Sequence, residues 1–208
     1  MKPKLRREQI LRAATTVFAA KGYHRASITD IIERSGIARG TFYLYFDGKR
    51  EIFSELVDVL LARIINCMKR VELGPGSPPW TDQIKANMLR IATILIEESE
   101  LTRILYNHAP GLDEDFDKKL REFYESLTHR TADALRLGQE MGLLRKNLDP
   151  VLAAHHLVGS VREVMYHFSA TPGAGAKLSP MIDELMSYST LGLLAPRPPA
   201  KAKKTKKR

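Results

Sequence analysis

Arg39, Gly40, Thr41, Tyr43, Tyr45 and Lys49 fall within one short stretch of the chain, and their chemistries match. An arginine can hold guanine O6 and N7 through two parallel hydrogen bonds, and a threonine offers a hydroxyl to phosphate and a methyl to thymine. Glycine lets a backbone come close to a partner, while phenols and an ammonium group donate to phosphate oxygens. Interleaved with them stand Ile37, Phe42 and Phe46, where a short helix needs apolar anchors. One side of the segment is therefore suited to holding a small domain together and the other to gripping DNA. Arg39 is the candidate for base readout, with Tyr43, Tyr45 and Lys49 as phosphate donors.

The elements that must position these groups are helices, because apolar residues recur at spacings of three and four and no alternating run is long enough for a strand. A first helix spans about Leu5 to Lys21, with Leu5, Ile10, Ala14, Val17 and Phe18 on its inner stripe and Gly22 beyond its end. Ser27 with Asp30 three residues on reads as a capping box for a second helix, closed by Gly36. A third runs from about Ala38 to Tyr45, and a fourth from Lys49 to about Val71. Two short helices joined by a glycine turn form a helix-turn-helix pattern, whose second helix can enter a major groove.

Leu73 to Trp80, LGPGSPPW, breaks the periodicity as a loop. Helices follow from Thr81 or Asp82 to Ser99, over Leu101 to His108, and from Asp113 to Met141 with a stripe of Phe116, Leu120, Phe123, Leu127, Ala134 and Leu135. Asp149-Pro150 reads as N-cap and first residue of a helix to Ser169, and a last helix covers Pro180 to Leu194. This gives an all-α fold in three parts: a helix-turn-helix DNA-binding domain over residues 1–48, a helical ligand-binding and dimerisation domain over 49–195, and a disordered basic tail over 196–208.

Charge agrees with that division. Residues 1–50 carry 11 Lys and Arg against 4 Asp and Glu, the body is mildly acidic, and residues 201–208 add 6 more cations. A basic head suits a polyanion. No apolar run reaches the roughly 18 to 20 residues of a membrane span, and the start of the chain lacks a signal-peptide core, so a cytoplasmic protein is expected. The single cysteine, Cys67, makes no internal disulfide and reads as a small core residue, with a redox sensor as the alternative.

Residues 13–53, AATTVFAAKGYHRASITDIIERSGIARGTFYLYFDGKREIF, resemble the N-terminal signature of the TetR-type transcriptional regulators. The resemblance lies in a first helix ending in KGY, a Ser-capped second helix, and the order glycine, hydrophobic, glycine-threonine-aromatic-tyrosine, tyrosine-phenylalanine, then lysine. It implies an all-helical homodimer that binds a palindromic operator and is released by a small molecule held in the C-terminal domain. By matching positions it implies Ser27, Thr29, Arg39, Gly40, Thr41, Tyr43, Tyr45 and Lys49 as the DNA-facing set. Two departures stand out: Ala38 replaces the usual cap of the recognition helix, and DGK replaces proline-serine-lysine. Thr29 is short, so the second helix is expected to read few bases.

In the body, Met88, Ile91, Leu95, Tyr106, Phe123, Leu127 and Tyr166 are the candidate lining of an apolar effector pocket. Leu157, Val161, Val164 and Phe168, with Met181, Leu185 and Tyr188, form stripes suited to a two-fold helical dimer interface. His155, His156 and His167 lack the carboxylate or thiol company of a metal site, and no metal or cofactor is expected. No GxSxG, P-loop, dinucleotide fingerprint, HExxH or CxxC motif is present, which argues against an enzyme. The sequence thus points to a DNA-binding regulator, expected to be a lipophile-responsive repressor; the alternative is an architectural DNA binder that uses its basic tail and no effector.

Overall fold

Pro3 needs no amide partner at a helix start, and it opens α1, Pro3–Lys21, in the computed structural model. The structure describes residues 3–108, 114–169, 171 and 173–191. The α1 residues Ile10, Ala13, Ala14, Val17 and Phe18 are buried. Leu5, expected on that stripe, lies in the first turn of α1 and is 47% exposed. Gly22 ends the helix in the left-handed conformation, its amide donating to the Phe18 carbonyl at 2.8 Å.

α2, Ile28–Ser35, α3, Arg39–Tyr43, and α4, Lys49–Cys67, follow. α3 is shorter than the sequence suggests, and α4 stops at Cys67 rather than near Val71. The cause of the second difference is a competitor for the backbone. Asn87, on α5 (Trp80–Glu97), accepts from the Lys69 amide and donates to the Lys69 carbonyl, both at 2.8 Å. One turn earlier Gln83 does the same for Glu72, again at 2.8 Å. These two clasps hold the segment after α4 extended along α5 and satisfy its polar groups without a helix.

α6, Ser99–His108, and α7, Glu114–Glu140, complete one side of the body. Thr102 is fully buried in α6 and donates to the Leu95 carbonyl at 3.0 Å, tying α6 back to α5. On α7 the buried positions are Phe116, Thr128, Ala132 and Gly138; Ala134, expected on the inner stripe, is exposed. α7 packs along α8, Pro150–Ser169, and Gly138 leaves room for Leu144 of the following loop, whose side chain a Cβ there would meet at 2.9 Å. As anticipated, the Asp149 carboxylate caps α8, accepting from the Val151 and Leu152 amides at 2.9 and 3.1 Å. A 3₁₀ turn at Ala174–Lys177 leads into α9, Leu178–Leu191, which packs on α5. No strand occurs among the described residues.

One apolar cluster runs through all of this, from Ile10 of α1 to Ile182 of α9. Phe53 of α4 is its junction. Its ring stacks on Phe116 of α7 (5.2 Å, 20°) and meets Phe18 of α1 edge-on (5.8 Å, 86°). At the surface Arg50 pairs with Asp115 at 3.0 Å, and Lys119 reaches both Ser54 and Asp58 at 2.7 Å. The start of α7 is thereby docked on the first three turns of α4.

Candidate nucleic-acid interface

The interface begins with a capping box. Ser27 Oγ accepts from the Asp30 amide at 3.1 Å, and an Asp30 oxygen accepts from the Ser27 amide at 2.9 Å. Lys21 adds a hydrogen-bonded ion pair to the same carboxylate at 2.6 Å. That lysine contact first, then the Ser27 amide and hydroxyl, hold the Asp30 carboxyl well below the usual range, at about 2. At the other end of α2, Gly36 adopts φ +65, and its amide serves the Ile32 and Glu33 carbonyls. A residue with a Cβ is strained in that conformation, so glycine here sets the corner between α2 and α3.

α3 has no side-chain cap: Ala38 is extended and makes none, as its replacement of a cap residue foretold. The helix is held by tertiary contacts instead. Phe42 and Phe46 are buried and Ile37 packs against the core. Arg7, from α1, clamps the turn after α3. Its guanidinium donates to both carboxylate oxygens of Glu55 and to the Tyr45 carbonyl (2.7 Å), and lies 4.2 Å from the Phe46 ring centroid. Sequence reading missed Arg7. Its partners lie 38 and 48 residues away, so no local pattern signals it.

Lys49 has a role the sequence reading did not give it. Its ammonium donates to the Tyr23 and His24 carbonyls at 3.0 Å and the Ala26 carbonyl at 2.9 Å, and sits 4.8 Å from the Tyr23 ring centroid. An ammonium has three N–H groups, and three carbonyls take them. The expected phosphate donor thus ties the start of α4 to the loop between α1 and α2.

The remaining expected residues occupy the outside. Ser27, Thr29, Arg39, Gly40 and Tyr43 are exposed, and Thr41 and Tyr45 are half-buried. The Arg39 guanidinium lies 5.9 Å from the Tyr43 ring centroid, and that ring meets Phe42 edge-on at 5.3 Å. Arg39, Gly40 and Tyr43 therefore share the outward side of a helix whose inward side is Phe42. Such a surface can present a guanidinium and a phenol to a groove, with no side chain at Gly40 to hold the backbone back.

Residues 10–56 match the family of bacterial regulatory proteins called tetR. Over 166 residues, 75% of this chain and 79% of the relative, the chain is 30% identical to an HTH-type transcriptional regulator encoded in the lacX 3' region of Lactococcus lactis. The chain belongs to the tetR family. It is also 27% identical to the regulator YdgC of Bacillus subtilis over 79% of this chain and 82% of that one. The fold superposes on the FadR regulator of Bacillus subtilis, solved with stearoyl-CoA, with a TM-score of 0.69 and 20% identity over 90% of this chain and 99% of that chain. This tetR-family member is thus a DNA-binding transcriptional regulator, all-helical, with a helix-turn-helix at the N-terminal end and a larger helical body.

The pocket residues named from sequence are distributed over four helices, α5 to α8. Met88, Ile91 and Phe123 pack on the core, Leu95 is within it, and Leu127 and Tyr166 are half-buried. The Tyr106 side chain lies outside the described residues, as does the tail 196–208. A cleft of about 290 Å³ opens elsewhere, between α1 and α6, lined by Lys21, His24, Arg25, Glu100 and Arg103 around Phe18 and Ile104. None of the seven lines it. On the dimer stripes, Leu157, Val161, Val164, Phe168, Met181 and Leu185 are half-buried and Tyr188 is exposed, its ring 6.2 Å from that of His156. Val161, Phe168 and Met181 pack on the chain's own core. Leu152, absent from the sequence reading, is 69% exposed in the first turn of α8. His167 meets Glu163 at 3.0 Å.

Proposed function

We propose that the chain is a dimeric repressor, working in the cytoplasm, that binds a palindromic operator with α3 in the major groove and releases it on binding a small lipophilic effector. The observation that carries the reading is the two-sided construction of α3. Phe42 and Phe46 are sealed inside under Arg7, while Arg39, Gly40 and Tyr43 face out on the basic head of the molecule. Residues 1–48 form the DNA-binding unit and 49–195 the effector-binding and dimerising unit, with Ser27, Thr29, Thr41 and Tyr45 completing the DNA contact. Lys49 supports that unit from beneath.

Two copies meeting through the outward faces of α8 and α9, where Leu152 and Tyr188 are exposed, set two recognition helices to read half-sites about one DNA turn apart. An effector that prefers a badly spaced pair lowers operator affinity by its preference ratio, with couplings of about 1–3 kcal/mol. The Phe18–Phe53–Phe116 ring contacts supply a rigid route between α1, α4 and α7 for that coupling. The acyl-CoA in the FadR relative of like fold supports an acyl or similarly apolar effector here.

The test is selection of duplexes from a random library by the full chain, followed by affinity measurements against salt. An inverted repeat is expected. Arg39→Ala relaxes preference at one base pair per half-site and costs about 1–3 kcal/mol. Steep salt dependence with no preferred sequence would instead mark an architectural binder driven by charge, and would overturn the repressor reading.

A further inference from the structure

Leu44 is 81% exposed, more than any other large apolar side chain among the described residues. It stands at the C-terminal end of α3, in the right-handed helical conformation. At about 100° per residue, Gly40 and Leu44 both lie about 160° round the helix from Phe42. Phe42 is fully buried, so Gly40 and Leu44 occupy the centre of the outward face. Arg39 and Tyr43 flank them on one side and Thr41, half-buried, on the other.

The chain's own packing explains neither residue. A Cβ added at Gly40 would meet nothing within 4 Å, and Gly40 is not in the left-handed conformation. A glycine inside a helix costs stability, and a leucine this exposed contributes no burial of its own. A partner that closes over the face accounts for both: Gly40 lets the helix sit deep, and Leu44, one turn on and only about 40° round the helix, reaches what lies at the floor. The head around it is strongly cationic, which selects a polyanion. The apolar group that duplex DNA displays in its major groove is the 5-methyl of thymine.

We propose that Leu44 is a specificity-determining residue that reads a thymine methyl in each operator half-site. This rests on the DNA-binding reading of α3. It also moves the methyl contact from Thr41, on the flank, to Leu44, at the centre of the face. Arg39 then reads a neighbouring base pair by hydrogen bonding while Leu44 reads by burial.

The experiment uses the full-length parent, Leu44→Ala and Leu44→Met, each enriching duplexes from a random library. The parent's selected duplex is then remade with deoxyuridine replacing thymidine at one position at a time. Removing the contacted methyl is expected to weaken the parent about three- to fivefold, the value of one buried methyl group. Leu44→Ala is expected to be indifferent to that replacement and to stop enriching that thymine, whereas Leu44→Met retains the sensitivity. Unfolding midpoints equal to the parent's are expected for both variants, since the side chain is exposed. A parent insensitive to methyl removal at every thymine, or a Leu44→Ala protein as sensitive as the parent, overturns the assignment of Leu44 alone. A parent that enriches no sequence overturns the DNA-reading role of α3 and this assignment with it.

Discussion

At Gly40 an added methyl meets no atom within 4 Å, so its effect on the isolated protein is set by backbone entropy alone. Gly40→Ala is expected to raise stability by about 0.5–1 kcal/mol. The same methyl stands between helix and groove floor, so operator affinity is expected to fall. Thermal unfolding and fluorescence anisotropy on one sample give the two signs, and a loss of both would show a packing role instead. Lys49 makes the converse case. With its ammonium on three carbonyls, Lys49→Ala is expected to cost about 1.5–3 kcal/mol of stability, as for hydrogen bonds to a charged group. The dependence of log affinity on log salt is expected to stay at the parent's slope, whereas loss of a phosphate donor lowers it by about 1. The sequence marks Lys49 as a cation beside a recognition helix. Only the fold brings the Tyr23, His24 and Ala26 carbonyls to it.

At the scale of the element, α2 depends on one carboxylate. Asp30 is held at about 2 by Lys21 and by both Ser27 groups, below the ordinary carboxylate value of about 3.9. A carboxyl with a depressed folded-state pKa contributes stability above its unfolded pKa, and that contribution is lost as pH falls through the folded value. The thermal midpoint is therefore expected to drop between about pH 4 and pH 2, and Asp30→Asn to remove that part of the drop while starting lower at neutral pH. Parallel melting curves across that window decide it: an Asp30→Asn protein with the parent's full acid sensitivity would remove Asp30 as the cause. Ser27, Asp30 and Gly36 were legible because caps are local, with donor and acceptor three residues apart. α3 was legible in place but not in length, since a helix with a bare N-cap at Ala38 ends where Phe42, Phe46 and Arg7 leave it.

For the whole molecule, the continuous cluster from Ile10 to Ile182 means that α1 to α3 and the body share their burial. Phe53 contacts both Phe18 and Phe116. Phe53→Ala is expected to cost about 3–5 kcal/mol and to lower a single transition seen alike by far-UV and near-UV circular dichroism. An early, separate loss of near-UV signal would show that the head unfolds apart from the body. The exposed α8 and α9 side chains Leu152 and Tyr188 belong to this scale too, since a second copy covers them in the proposed dimer.

By itself the sequence determined the helical class, the order of the helices, the glycine corner and the membership of the tetR family. Those follow from periodicities, caps and anchors separated by three or four residues. Tertiary structure decided which cations remain outside. Arg7 and Lys49 are drawn inward to carboxylate and carbonyl oxygens that lie 23 to 48 residues away along the chain, while Arg39 is left on the surface beside Tyr43. It also decided that Leu44 stands opposite Phe42, because a leucine's exposure depends on which side of its helix the rest of the chain covers.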